Sequence, residues 1–228
     1  MWLLNSSIGR KLVMSLSGLF LILFLLFHLA MNMTAVFSEE AYNLICELLG
    51  SNWYAIAGTL LLAAGFAVHI LYALWLTWRN LQARGSNRYA VSERPDGVEW
   101  SSQNMFVLGL VVVGFLLLHF LQFWYHMMFA ELMGHHETEV GGLLLSTTDG
   151  AGFVRYYFSN IIVVVLYLVW YAALWLHLTH GFWSALQTVG WSNNLWFKRW
   201  KVISDIFATV VCLGFAFVTI TFYIKSIL

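Results

Sequence analysis

Residues 12–37 read LVMSLSGLFLILFLLFHLAMNMTAVF, a stretch with no charged residue and one histidine, His28, in its interior. A hydrocarbon layer about 30 Å thick is crossed by about 20 apolar residues in a helix rising about 1.5 Å per residue, so the stretch reads as a membrane-spanning helix. It is longer than the roughly 7–15 residues of a secretory signal core, which makes it a retained span. An imidazole in such a run needs a partner, and is a functional hypothesis by default.

Working outward, four further stretches have the same character: Tyr54 to Trp78, Met105 to Ala130, Tyr156 to Leu178 extended toward Val189, and Val202 to Ile224. Hydrophobic residues make up 61% of the chain and charged residues 10%, against about 25% charged in a soluble domain, so most of the surface is made to meet lipid. The expected fold is all-α, a transmembrane bundle of five helices forming one domain over residues 1–228. The sequence has no internal repeat, second-domain linker or low-complexity tract, and nucleic acid is not an expected partner.

If the five spans alternate, Arg10, Lys11, Arg79, Arg84, Arg88, Arg94, Lys198, Arg199 and Lys201 fall on one side, leaving Arg155 and Lys225 opposite. By the positive-inside rule the N-terminus is cytoplasmic and the C-terminus outside. Zero formal net charge hides this polarity. The loop around Pro95, with Gly85, Asn87, Asp96 and Gly97, cannot continue a helix and joins spans two and three on the inside. The glycine-rich stretch from Gly134 to Gly152 reads as an exposed outer loop. Trp and Tyr gather at the span ends, where such rings anchor at headgroup level.

Spans one to four each carry one deep histidine: His28, His69, His119 and His177. Counting from Lys11 and Trp100, His28 and His119 lie roughly 25–28 Å up their helices, an outer level. His69 and His177 lie about 10–15 Å from the inner edge. Two facing pairs of neutral imidazoles are what axial ligation of two haem irons requires. Gly65 and Ala73 around His69, and Gly181 after His177, clear a face on which a flat porphyrin can approach; Phe24 and Asn32 leave His28 less open. Such small residues also serve plain helix packing.

Other candidates follow at lower weight. His180, one turn beyond His177, is an alternative inner ligand or a contact to a haem propionate. His126 is a candidate for lining a quinone pocket near the outer surface, with an interfacial role as its alternative. His135 and His136 with Glu137 and Glu139 fit a solvated loop better than a metal site. Cys46 and Cys212 lie at different depths, so packing is expected of both, and no spacing suggests an iron–sulfur or zinc site.

Five spans with His28, His69, His119 and His177 on the first four resemble the di-haem cytochrome b anchor of succinate:quinone oxidoreductases, the single-subunit type that uses menaquinone. The resemblance covers essentially the whole chain. His177-Leu-Thr-His180-Gly181 is similar to that family's His-x-x-x-Gly at its last ligand, which favours His177 over His180. Ser17-Gly18-Leu19 followed by His28-x-x-x-Asn32 resembles the family's first helix. The resemblance implies two b haems, a proximal one on His69 and His177 and a distal one on His28 and His119. It also implies a menaquinone site near the distal haem, and flavoprotein and iron–sulfur subunits docked on the cytoplasmic face of a bacterial inner membrane. Glu39, Glu40, Glu47 and His126 are then the nearest groups to handle quinone protons. Some fumarate reductases of the group carry a Glu two residues before the last ligand; here that place is Trp175, which removes the basis for a compensating transmembrane proton path. Two alternatives stay open: the quinol-oxidising anchor of another respiratory oxidoreductase, and a haem-free transporter in which the histidines relay protons or bond to one another.

Overall fold

The structure, a computed structural model, describes residues 6–84 and 99–228. The inner-loop positions Arg88, Arg94 and Pro95 lie outside the described residues.

Helix α1 (Ser7–Phe37) begins at Ser6, whose hydroxyl accepts the Gly9 amide at 3.0 Å. It stops at Ser38, where the backbone turns extended (φ −152°, ψ 113°). The Ser38 hydroxyl then accepts the Ala41 amide at 3.1 Å and caps α2 (Glu39–Leu48), with Glu39 and Glu40 in the electropositive first turn. Next come α3 (Trp53–Arg84), a single turn α4 (Trp100–Gln103) and α5 (Met105–His119). Helix α5 continues without a break as a π-helical segment (Phe120–Phe129) and ends in an α-turn (Ala130–Leu132). An antiparallel hairpin of β1 (Glu137–Val140) and β2 (Leu143–Ser146) leads to α6 (Gly150–Phe158), α7 (Ile161–Thr188) and α8 (Trp196–Ile227).

Among the described residues five helices are long and apolar enough to cross a membrane, and they form the expected all-α bundle. Two boundaries differ from the sequence expectation. The fourth span does not begin at Tyr156: the Asn160 side chain accepts the Ile162 amide at 2.9 Å and starts α7 afresh, leaving Tyr156 and Tyr157 on α6. The stretch from Gly134 to Gly152 is also not a plain exposed loop. Gly141 and Gly142, with φ of +59° and +83°, make the two-residue turn of the hairpin, a left-handed backbone that favours glycine. Val140 and Leu145 then pack with the fully buried Phe153, against Phe123 and Met127 of the π segment.

The core lies where α7, α8 and α1 meet, around Tyr167, Val211 and Phe222. Within it the buried Tyr171 and Thr219 hydroxyls satisfy each other at 2.9 Å. Helix α3 packs on α1 at the periphery, and its apolar window has no residue buried inside the chain.

Charged contacts identify which helix ends share a face. Glu39, at the start of α2, pairs with Arg155 of α6 and with Lys225 near the end of α8. At the other end Glu99 pairs with Lys201 of α8 and with His180 of α7. The five spans therefore alternate, with an acidic end carrying α2, the hairpin and α6, and a basic end carrying the start of α1.

Candidate functional site

The bundle brings the four deep histidines together as two ring pairs. His28 and His119 stand 5.8 Å apart between centroids with planes at 84°; His69 and His177 stand 6.3 Å apart at 75°. The α1–α5 and α3–α7 backbones are not among the extensively packed helix pairs, and side chains make the meeting within each histidine pair. Ser17 on α1 touches His69, and His28 is eleven residues further along the same helix, about 16 Å by the helical rise. The two pairs are thus stacked at different depths.

This spacing suits a shared metal ion. Imidazole–metal bonds of about 2 Å, as for zinc, hold two rings on one ion about 6 Å apart between centroids. Each pair supplies two donors, the number a haem iron leaves to protein. Among the described residues no group of three or more His, Cys, Asp or Glu side chains is placed to hold a metal ion.

Small residues flank the inner pair, though not all of those expected. A Cβ on Gly18 would stand 3.4 Å from Cε1 of His69, and one on Gly109 would stand 3.7 Å from Cε1 of His177. Gly181 faces open space. Gly65, expected to clear a face beside His69, instead lies under the Phe20 ring and serves the α1–α3 contact. Around His28 the crowding is as expected: Phe24 stacks on the ring at 5.3 Å and 22°.

Five polar side chains given no role by the sequence contact these rings or support those that do. Ser17 Oγ lies 3.2 Å from His69 Nδ1 while donating to the carbonyls of Val13 and Met14, at 2.9 and 3.0 Å. The Tyr167 hydroxyl lies 3.3 Å from His119 Nδ1 while donating to Gln122 Oε1 at 2.7 Å. Tyr42 donates to Asn32 Oδ1 at 3.0 Å, and the Asn32 amide lies 3.5 and 3.4 Å from Nδ1 and Nε2 of His28. His177 Nδ1 is buried without a hydrogen-bond partner. Ser17 and Asn32 stand in the motif quoted from the first span, but no sequence signal marked Tyr42, Gln122 or Tyr167.

His180 is turned to a different task, lying 3.4 Å from Glu99, which also pairs with Lys201. Burial pushes the Glu99 carboxyl up, but hydrogen bonds from Lys201 and His180 outweigh it and hold the group below its ordinary value of 4.5. A depressed carboxylate contributes stability that is complete above the ordinary value and is lost as pH falls through the lowered one. Thermal melts of wild type and Glu99→Gln should therefore differ at neutral pH, the difference starting to shrink as pH falls past about 4.5 and vanishing only below the lowered value; a constant difference across that range would show that the carboxylate is not the cause.

At the acidic end, His126 Nδ1 lies 3.0 Å from Thr138 Oγ1 and its ring stacks on Phe153, tying the hairpin to the π segment. Glu39 is engaged by Arg155 and Lys225, whereas Glu40 and Glu47 face outward from α2. The His136 carbonyl accepts the Thr147 amide at 3.0 Å beside the hairpin. Both cysteines are free, and burial pushes the Cys46 thiol up to about 11, so it is a packed group with little thiolate at neutral pH.

Comparison of the chain with protein-family models, with curated proteins and with solved structures finds no match.

Proposed function

We propose that this chain is a membrane cytochrome b that holds two b haems, one between His69 and His177 and one between His28 and His119. The observation that carries the reading is the pairing itself: four intramembrane histidines meet ring to ring in two couples, at the spacing one metal ion needs and at two depths. Haem held by these pairs would supply one-electron chemistry, and two histidines on each iron would leave it no open position for oxygen or substrate. What the chain contributes is placement, since stacking the pairs across the bilayer supports relay of electrons between its two faces.

Within that reading the chain is the anchor of a succinate dehydrogenase or fumarate reductase complex, exchanging electrons between menaquinone and an iron–sulfur subunit that serves a flavoprotein. The soluble subunits dock on the basic, cytoplasmic end in a bacterial inner membrane, and menaquinol is handled at the acidic end. The dicarboxylate chemistry belongs to the flavoprotein. No attachment motif of the Cys-x-x-Cys-His kind occurs, so the haems are held non-covalently.

The test is purification from the native membrane with a pyridine haemochrome assay and identification of co-purifying subunits. Two haems per chain with a flavoprotein and an iron–sulfur protein is the expected result. Haem with different partners would assign the anchor to another respiratory enzyme, and no haem would reject the cytochrome reading.

The quinone side carries its own prediction. Glu40→Gln and Glu47→Gln in the assembled complex should slow menaquinol-driven haem reduction in stopped flow while leaving haem content unchanged, because a carboxylate outside the haem pocket has no ligand role. Glu39→Gln should chiefly weaken the Arg155 and Lys225 contacts. Wild-type reduction rates in all three variants would remove these acids from proton handling.

A further inference from the structure

Hydrogen bonding around two of the four histidines bears on which ring nitrogen carries the proton. The Ser17 hydroxyl has one hydrogen, and it is committed to the carbonyls one turn back on α1, at 2.9 Å to Val13 and 3.0 Å to Met14. With the hydrogen on those carbonyls, its lone pairs meet His69 Nδ1 at 3.2 Å and that nitrogen is the donor. Tyr167 repeats the arrangement on another helix. Its single hydrogen goes to Gln122 Oε1 at 2.7 Å, leaving the phenolic oxygen to accept from His119 Nδ1 at 3.3 Å. Tyr167 is 2% exposed, so no competing water is at hand to reverse the direction.

We propose that Ser17 and Tyr167, the latter held by Gln122, are positioning residues that fix His69 and His119 in the Nδ1–H tautomer, leaving the Nε2 lone pair of each for a haem iron. The inference rests on the haem reading but adds residues and a role that the pairing alone does not contain. A neutral imidazole has one donor and one acceptor nitrogen, so committing Nδ1 to donation commits Nε2 to accept or to ligate. No described residue hydrogen-bonds to Nε2 of either ring. Each ring pair has one member anchored this way and one that is not: Asn32 offers His28 an amide rather than a hydroxyl, and His177 Nδ1 has no partner. The anchored imidazole is the more basic ligand of its pair, because donation from Nδ1 to an acceptor raises the electron density of the ring.

A more basic axial ligand favours ferric over ferrous iron, so removing the acceptor raises that haem's midpoint potential. The expected change is roughly tenfold in the ferric preference, the low end of what a lost outer partner costs a metal site, or about 59 mV for one electron. Redox titration of the intact complex should show Ser17→Ala raising one of the two potentials and Tyr167→Phe raising the other. Ser17→Thr keeps the hydroxyl and should restore the wild-type value. A plain packing defect would not be rescued in this way. Unmoved potentials, or both variants shifting the same haem, would overturn the proposal. If the purified chain proves to hold no haem, the cytochrome reading fails by itself and the tautomers are read directly, from nitrogen NMR of the histidine-labelled full chain. Two Nδ1–H imidazoles, one lost in Ser17→Ala and the other in Tyr167→Phe, would uphold the positioning role, and Nε2–H at either residue would overturn it.

Discussion

His177→Ala is expected to bring haem from two per chain to one, whereas His180→Ala should leave both in place with at most a shifted potential. The two residues are one turn apart on α7, yet the bundle assigns them to different surroundings. His177 meets His69 at 6.3 Å, while His180 is engaged by Glu99 at 3.4 Å. For His180 to replace His177 it would have to leave Glu99 and move about 4.5 Å along the helix axis. Without His177, His69 keeps its Ser17 contact but faces no second donor, and a haem stripped of one of two axial bonds loses most of its hold on the protein. The outer pair shares none of these contacts, so the haem proposed for His28 and His119 should be retained and act as an internal control for folding. Pyridine haemochrome content with reduced-minus-oxidised spectra reads the result. Loss of haem in the His180 variant alone would move the ligand one turn along α7.

Much of the bundle is legible in the sequence because hydrocarbon imposes a simple demand: every backbone group is satisfied within its own helix, so length and apolarity alone delimit spans. The run from Leu12 to Phe37 falls inside α1, and that from Val202 to Ile224 inside α8. Depth along a helix is a count of residues, which is why His28 could be matched with His119, and His69 with His177, before any contact was known. Breaks within apolar stretches are harder. Ser159 and Asn160 sit between Phe158 and Ile161, and hydropathy averages over them, although Asn is among the best residues to start a helix. The hairpin had a signal in Val140-Gly141-Gly142-Leu143, a two-residue turn between apolar residues. It was masked by the polar, acidic residues before it. The π segment after His119 has no comparable sequence mark.

Partners of the histidine nitrogens were out of reach for a different reason. Whether Ser17 meets His69, or Tyr167 meets His119, depends on the rotation of α1 against α3 and of α5 against α7. Those rotations are set by packing over whole interfaces, not by any local pattern. Helical serine and tyrosine are also ordinary residues, and nothing in their spacing separates these two from the rest.

Rotation and approach of α1 can be tested through one glycine. Gly214 of α8 faces Leu29, the residue next to His28, and a Cβ added there would stand 2.9 Å from both Leu29 methyl carbons. Leu29 is itself buried in the main core, 7% exposed, so it has little room to turn aside. Gly214→Val should therefore force α1 away from α8, at about 1–3 kcal/mol for overpacking a filled interface. Metal constellations tolerate only about 0.5 Å of displacement before binding weakens. His28 moves with Leu29, so the outer site should lose its haem while the inner site, held by His69 and His177 on α3 and α7, keeps its own. Leu29→Ala added to Gly214→Val reopens the space and should return outer haem toward the wild-type level, a double-mutant coupling expected only for groups in contact. The measurement is haem content and difference spectra of the single and double variants. Full retention of both haems in Gly214→Val would show that α1 has slack at this contact and that the placement of His28 does not depend on it.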